Sequence, residues 1–300
     1  MNQELLSVCI PTRNRAPFLR DLLAAFAKQV REDNLTAEDV GFYLSDNTST
    51  DETPQVIADF ARQVPRAVLN RNPSNIGGDG NILHVRAMGR GKYIWVVGDD
   101  ELLADKALVN VLRLIRQSEP GLILAYATRY NLRLRTPQTF ADYKKFAEEC
   151  IRTNTHALAE HSLISSNIYR ADCYDFDLAR ETLSTHFPQM YGMVRALFQK
   201  KASVVLPDFP VIIMRDQQAH AVDGQWVSDF DAMWINYFTW LREELQLPQL
   251  DPHAPSQYAR RALMRKMFRH PFRFLAANWR SVFNPSAYVF AFNRIFLKRK

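Results

Sequence analysis

Apolar runs of strand length alternate with amphipathic stretches of helical period through the first 125 residues. Leu6-Ser-Val-Cys-Ile10 reads as a short buried strand that stops at Pro11. From Ala16 to Val30, Phe18, Leu19, Leu22, Leu23 and Phe26 fall on one helical face. Val40-Gly-Phe-Tyr-Leu44 is a second strand. Asp51-Glu-Thr-Pro54 then opens a helix carrying Ile57, Phe60 and Val64. Ala67–Leu69 is a third strand, Gly80–Met88 a helix, and Tyr93-Ile-Trp-Val-Val97 a fourth strand; Asp105 opens another helix and Leu122–Tyr126 is a fifth strand. Repeated strand–helix–strand units predict an α/β fold, a mainly parallel sheet with helices on both faces.

Past residue 130 the alternation weakens. Asn131–Thr139 reads as loop, 140–160 as charged helix, and Ser162–Tyr169 as strand. Phe187, Met190, Tyr191, Val194, Leu197 and Phe198 form a helical stripe, and Val204–Met214, broken by Pro207 and Pro210, reads as short strands. Trp226–Leu245 is an amphipathic helix, followed by a Pro-rich linker, 247–255. This divides the chain into a core domain, 1–250, with halves 1–125 and 126–250, and a tail, 251–300.

Charge sharpens that division. The net charge is +6, yet 257–300 holds 11 basic residues, no acidic one and ten aromatics. The first 256 residues are therefore left at −5. A mildly acidic body with a basic, aromatic tail predicts a tail that seeks an anionic surface. Interleaved Arg260, Arg261, Arg265 and Lys266 with Phe268, Phe272 and Trp279 suit an interfacial helix on a membrane. Three widely spaced cysteines exclude a disulfide framework or cysteine zinc site. With no apolar run near ~18 residues and no signal-like start, the expected location is cytoplasmic, peripheral on the inner face of the membrane.

Ligands of open parallel sheets lie beyond the carboxyl ends of the strands. Four polar segments fall there: Pro11-Thr-Arg-Asn-Arg15, Ser45-Asp-Asn-Thr-Ser-Thr-Asp-Glu-Thr53, Asn75-Ile-Gly-Gly-Asp-Gly-Asn81 and Gly98-Asp-Asp-Glu101. Adjacent acids raise one another's pKa unless a cation compensates, and Mg2+ or Mn2+ is the natural compensator beside substrate phosphates. The other reading of Asp99-Asp100-Glu101 is an acidic helix cap before Leu102. Asn75, Gly78 and Asp79 stand at a helix start whose backbone N–H groups suit an anion. Asp46 can accept hydrogen bonds from a base or ribose.

In this order and spacing the segments resemble the family 2 glycosyltransferases of GT-A fold, over roughly residues 5–105. The wording W-V-V-G-D-D and G-G-D-G-N looks closest to the abequosyltransferase-like branch that builds bacterial surface polysaccharides. The resemblance implies transfer of a sugar, with inversion, from a nucleotide-sugar donor to an acceptor hydroxyl. It implicates Pro11, Thr12, Arg13 and Asp46 in holding the nucleoside, and places Asp100 on the metal-ligating aspartate with Asp99 beside it. Gly98 stands where many members have their first aspartate, so Asp99 takes over its ribose contact. Glu101 is a further candidate ligand. Where members usually carry Glu-Asp before a helix, this chain has His186, which becomes the candidate catalytic base, with Asp175, Asp177 and Glu181 as fallback acids. His220 is a candidate metal ligand and Arg215 a donor contact, closing over the diphosphate.

Two rival readings remain at this level. A sugar nucleotidyltransferase would share the acidic edge, but Thr12-Arg-Asn-Arg-Ala16 lacks the glycines of its phosphate loop. A nucleic-acid-binding protein could use the tail, but the acidic body would repel phosphates and no nucleic-acid motif is present. The expected partners are a nucleotide sugar and a lipid-linked glycan acceptor at an anionic membrane surface, and no nucleic acid.

Overall fold

The computed structural model describes residues 3–127, 138–153, 158, 163–185, 187–213 and 224–253. His186, Arg215, His220 and the tail 257–300 lie outside the described residues. In chain order the elements are β1 (Leu6–Thr12), α1 (Ala16–Glu32), β2 (Val40–Asp46), α2 (Thr53–Ala61), β3 (Ala67–Arg71), α3 (Gly78–Met88) and β4 (Tyr93–Val96). There follow β5 (Leu102–Leu103), α4 (Ala107–Ser118), β6 (Leu122–Leu124), β7 (Tyr126–Ala127), β8 (Gln138–Phe140) and α5 (Tyr143–Thr153). A 3-10 turn (Ile164–Ser166) leads into β9 (Asn167–Arg170), α6 (Phe176–Glu181), α7 (Pro188–Gln199), β10 (Val204–Leu206), β11 (Pro210–Ile213) and α8 (Gly224–Glu244).

Eight strands form one sheet in the order β3-β2-β1-β4-β9-β6-β10-β8. The β3-β2-β1-β4 half is parallel, as the alternation predicts. In the other half, β9 runs antiparallel between β4 and β6, and β8 runs antiparallel to β10 at the edge. Leu6, Val8, Ile10, Phe42, Leu44 and Trp95 pack with Leu19, Leu22, Phe26, Phe60 and Leu112 in one core beneath α1, α2 and α4. Ser7, Cys9 and Ile94, on the opposite face, lie close to Gly89 just beyond α3. Two-sided burial explains why these strands read as nearly continuous apolar runs.

Four features depart from the sequence reading. The run 122–126 breaks at Ala125, whose N–H donates to Ser166 O (2.7 Å), so β6 stays in the main sheet while β7 joins β5 and β11 in a second, three-stranded sheet. β8 lies in what reads as loop, and residues 164–166 of the expected strand are a 3-10 turn. Leu102 begins a strand and α4 starts only at Ala107, so the acidic run 99–101 is not a helix cap.

The chain divides into two compact units, residues 1–216 and 217–300. Within the second, α8 buries Trp234, Tyr237, Phe238 and Leu241 at helical spacing. Among the described residues no helix is long and apolar enough to cross a membrane.

Candidate active site

Register puts the ends of the parallel strands level: Thr12 pairs with Asp46, and Asp46 with Arg71. The loops leaving these ends are stitched to one another. Asn14 takes a positive φ of 53°, so that its N–H donates to Ser49 Oγ (2.8 Å) while its Oδ1 accepts from Thr50 N (2.8 Å). Asp51 accepts from Thr53 N (3.0 Å) and from Ala16 N (3.2 Å), serving the first turns of α2 and α1 together. Burial would raise its pKa, but these hydrogen bonds and that of the Thr53 hydroxyl outweigh it and hold it low.

Asp46 is 2% exposed. Its Oδ1 accepts from Ser49 N (2.9 Å) and its Oδ2 faces Arg71 Nη1 at 3.4 Å. Asp46 thus holds the turn that follows β2, with the half-exposed Arg71 guanidinium beside it.

The glycine-rich segment is held by a web of amides that the sequence reading missed. Asn47 is its hub. Its Oδ1 accepts from Asn72 Nδ2 (3.0 Å) and Ile76 N (3.0 Å), while its Nδ2 donates to Asn75 Oδ1 (2.7 Å) and Gly77 O (3.2 Å). Asn81 joins the same web through Ser45 and Asn72. Asn75, an expected donor contact, is exposed, and its Oδ1 also accepts from Gly77 N (3.0 Å). Gly77 sits at φ 79°, a conformation that costs an L side chain strain, and caps α3. Beyond it Gly78 is exposed and Asp79 half-buried in the first turn of the helix.

The acidic turn meets β1 directly. Thr12 Oγ1 donates to Asp99 Oδ2 at 2.7 Å, which joins the ends of β1 and β4. Burial pushes the Asp99 carboxyl up to about 6, with the charge of Asp100 adding to it; the Thr12 hydroxyl, the Arg15 charge and the Arg13 N–H oppose the rise. Pro11 and Asp100 are half-buried and Arg13 is exposed, all in this neighbourhood. Glu101 is buried, with Oε1 3.4 Å from Ser165 Oγ.

A carboxylate whose charged form is disfavoured by burial and by a second carboxylate is relieved by a divalent cation, and an all-oxygen set suits Mg2+ or Mn2+. Among the described residues no three His, Cys, Asp or Glu side chains converge. An ion here would complete its shell with donor phosphates and water, the usual habit of Mg2+. Of the fallback bases, Asp175 caps α6 by accepting from Leu178 N (3.0 Å), and Asp177 pairs with Arg180 on the surface. Glu181 is exposed at the end of the same helix.

A family model described as Glycosyl transferase family 2 matches residues 7–161, which includes every one of these loops. The chain belongs to glycosyl transferase family 2. Over 105 residues it is 36% identical to the abequosyltransferase RfbV of Salmonella typhimurium. That match spans 35% of this chain and 30% of that protein's length. Among solved structures, residues 1–349 of S. aureus TarS superpose with a TM-score of 0.56 at 15% identity, covering 79% of this chain and 65% of that one. The mannosyltransferase PcManGT of Pyrobaculum calidifontis, in complex with GDP-Man and Mn2+, gives 0.55 at 11% identity, covering 100% and 89%. At these identities the superpositions establish the GT-A fold.

Proposed function

We propose that this family 2 protein transfers a sugar from a nucleotide-sugar donor to a hydroxyl of a lipid-linked glycan, with inversion, in bacterial surface-polysaccharide synthesis. The observation that carries the proposal is the Thr12–Asp99 hydrogen bond, which sets the acidic turn against the loop after β1, in a chain of this family. S. aureus TarS in complex with UDP-GlcNAc and the Pyrobaculum enzyme with GDP-Man share the fold, which supports a nucleotide sugar as the donor.

Pro11, Thr12 and Arg13 frame the nucleoside, Asp46 accepts hydrogen bonds from its base or ribose, and Asp99 takes the ribose. Asn75, Gly78 and Asp79 border the donor from the start of α3, and Arg215 contacts the diphosphate. Asp100, with Glu101, would hold Mg2+ or Mn2+, which when bound neutralises the charge on the leaving diphosphate. His186 takes the proton of the acceptor hydroxyl as its oxygen attacks the anomeric carbon. The bond from that carbon to the diphosphate oxygen breaks, and the nucleoside diphosphate leaves. Imidazole basicity suits that proton transfer at neutral pH.

Thermal shift tests the donor site. Full-length protein should gain several degrees with one class of nucleotide sugar, more strongly with Mn2+ present. No shift with any nucleotide sugar, with or without Mn2+, would contradict the assignment.

A further inference from the structure

We propose that Ser165 is a positioning residue for the metal-binding turn, an inference that rests on the function proposed above. Ser165 lies 64 residues beyond the turn in sequence, is 2% exposed, and bonds the turn near both of its ends. The Gly98 N–H donates to Ser165 Oγ at 2.9 Å, and the hydroxyl reaches Glu101 Oε1 at 3.4 Å. Between Gly98 and Glu101 stand Asp99 and Asp100, so one hydroxyl spans the segment that presents both carboxylates. The contact is close enough that a Cβ built on Gly98 would lie 3.4 Å from both Ser165 Oγ and Asp100 Oδ1.

Ser165 is itself fixed from several directions. Trp95 Nε1, on β4, donates to Ser165 O at 2.8 Å. On either side, Asn167 Nδ2 donates to Leu163 O (3.0 Å), Ser166 N to Leu163 O (2.9 Å), and Ala125 N to Ser166 O (2.7 Å). A 3-10 turn bound to β4 and to Ala125 just beyond β6, and running straight into β9, gives the hydroxyl a rigid base. Strand β4 delivers the acidic turn, and the segment before β9 holds its shape. Groups that orient metal ligands without touching the ion commonly change metal affinity by about ten- to a hundredfold when removed. An ion that needs Asp100 in one orientation would therefore bind more weakly without the Ser165 hydroxyl.

The test titrates Mn2+ against full-length protein saturated with UDP or GDP, whichever the wild type binds, reading free Mn2+ by electron paramagnetic resonance. Ser165→Ala should weaken Mn2+ binding roughly tenfold. It should raise the Mn2+ concentration for half-maximal turnover by the same factor, while kcat at saturating Mn2+ stays within about twofold. Tyr93→Phe is the stability control: it removes a buried hydrogen bond to Pro120 O (2.7 Å) at the other end of β4 and should leave Mn2+ affinity unchanged. If Ser165→Ala does not fold, Ser165→Cys keeps the shape with a weaker hydrogen-bonding group and should shift affinity in the same direction. Wild-type Mn2+ affinity in the folded Ser165 variant, or an equal loss in Tyr93→Phe, would overturn the positioning role alone. Failure of the wild type to bind Mn2+ with either nucleotide would overturn the proposed function and this inference with it.

Discussion

Thr12 shows what a single hydroxyl does at the edge of this sheet. As the last residue of β1 it is buried, and its side-chain hydroxyl donates to Asp99. Thr12→Val keeps the shape of the side chain and removes that donor. Hydrogen bonds to charged groups are worth about 1.5–3 kcal/mol, so the donor KM should rise at least roughly tenfold, with kcat much less affected. Steady-state kinetics over a donor series checks this split. Both Thr12 and Asp99 are visible in the sequence as polar residues directly after apolar strands, which is why they could be named together. Asp46 was equally visible as a residue but not as a geometry. No local pattern says that its carboxylate closes on Ser49 N and Arg71, because Arg71 arrives through the β2–β3 register.

Among the elements, the strand and helix ends are held by side chains whose partners lie far along the chain. Asn47 ties the end of β2 to the segment before α3 with four hydrogen bonds. Asn47→Ala removes all four of these bonds, including the one from the buried Asn72, and should cost about 1–2 kcal/mol, measured by urea denaturation. At the start of the sheet, Glu4 is 1% exposed, accepts from Tyr43 Oη (2.6 Å) and Ser7 Oγ (2.8 Å), and pairs with Arg66. Burial alone would raise its pKa, but the bonds from Tyr43, Ser7 and Arg66 outweigh this and lower it from 4.5. A lowered carboxyl contributes stability at pH values above 4.5 and loses it as pH falls through the folded-state value. Glu4→Gln should therefore cost about 2 kcal/mol at neutral pH, and the gap to wild type should close on acidification, read from unfolding curves between pH 7 and 3. Donor KM should not change, since all of β1, at ~3.3 Å per residue, separates Glu4 from Thr12. The parallel half was legible because burial on both faces leaves long apolar runs. The break at Ala125, strand β8 and the 3-10 turn at Ser165 were not, because each is set by pairing between distant segments rather than by local periodicity.

For the whole molecule, the proposal that residues 257–300 attach the protein to a membrane rests on the charge division between an acidic body and this basic, aromatic tail. Deleting 257–300 should abolish sedimentation with anionic liposomes while donor-induced thermal shifts persist; liposome binding that survives the deletion would contradict the assignment of the tail. The proposed reaction joins membrane attachment to donor chemistry, with sugar passing from a soluble nucleotide to a lipid-borne acceptor. The most direct measurement supplies the full-length protein with radiolabelled nucleotide sugars, Mn2+ and a bacterial lipid extract, and follows both the organic phase and the released nucleoside diphosphate. The expected result is label in the lipid fraction with equimolar nucleoside diphosphate, abolished by Asp100→Ala in a protein that still unfolds at the wild-type temperature. Nucleotide sugars left intact by the wild type, or undiminished transfer by Asp100→Ala, would contradict it.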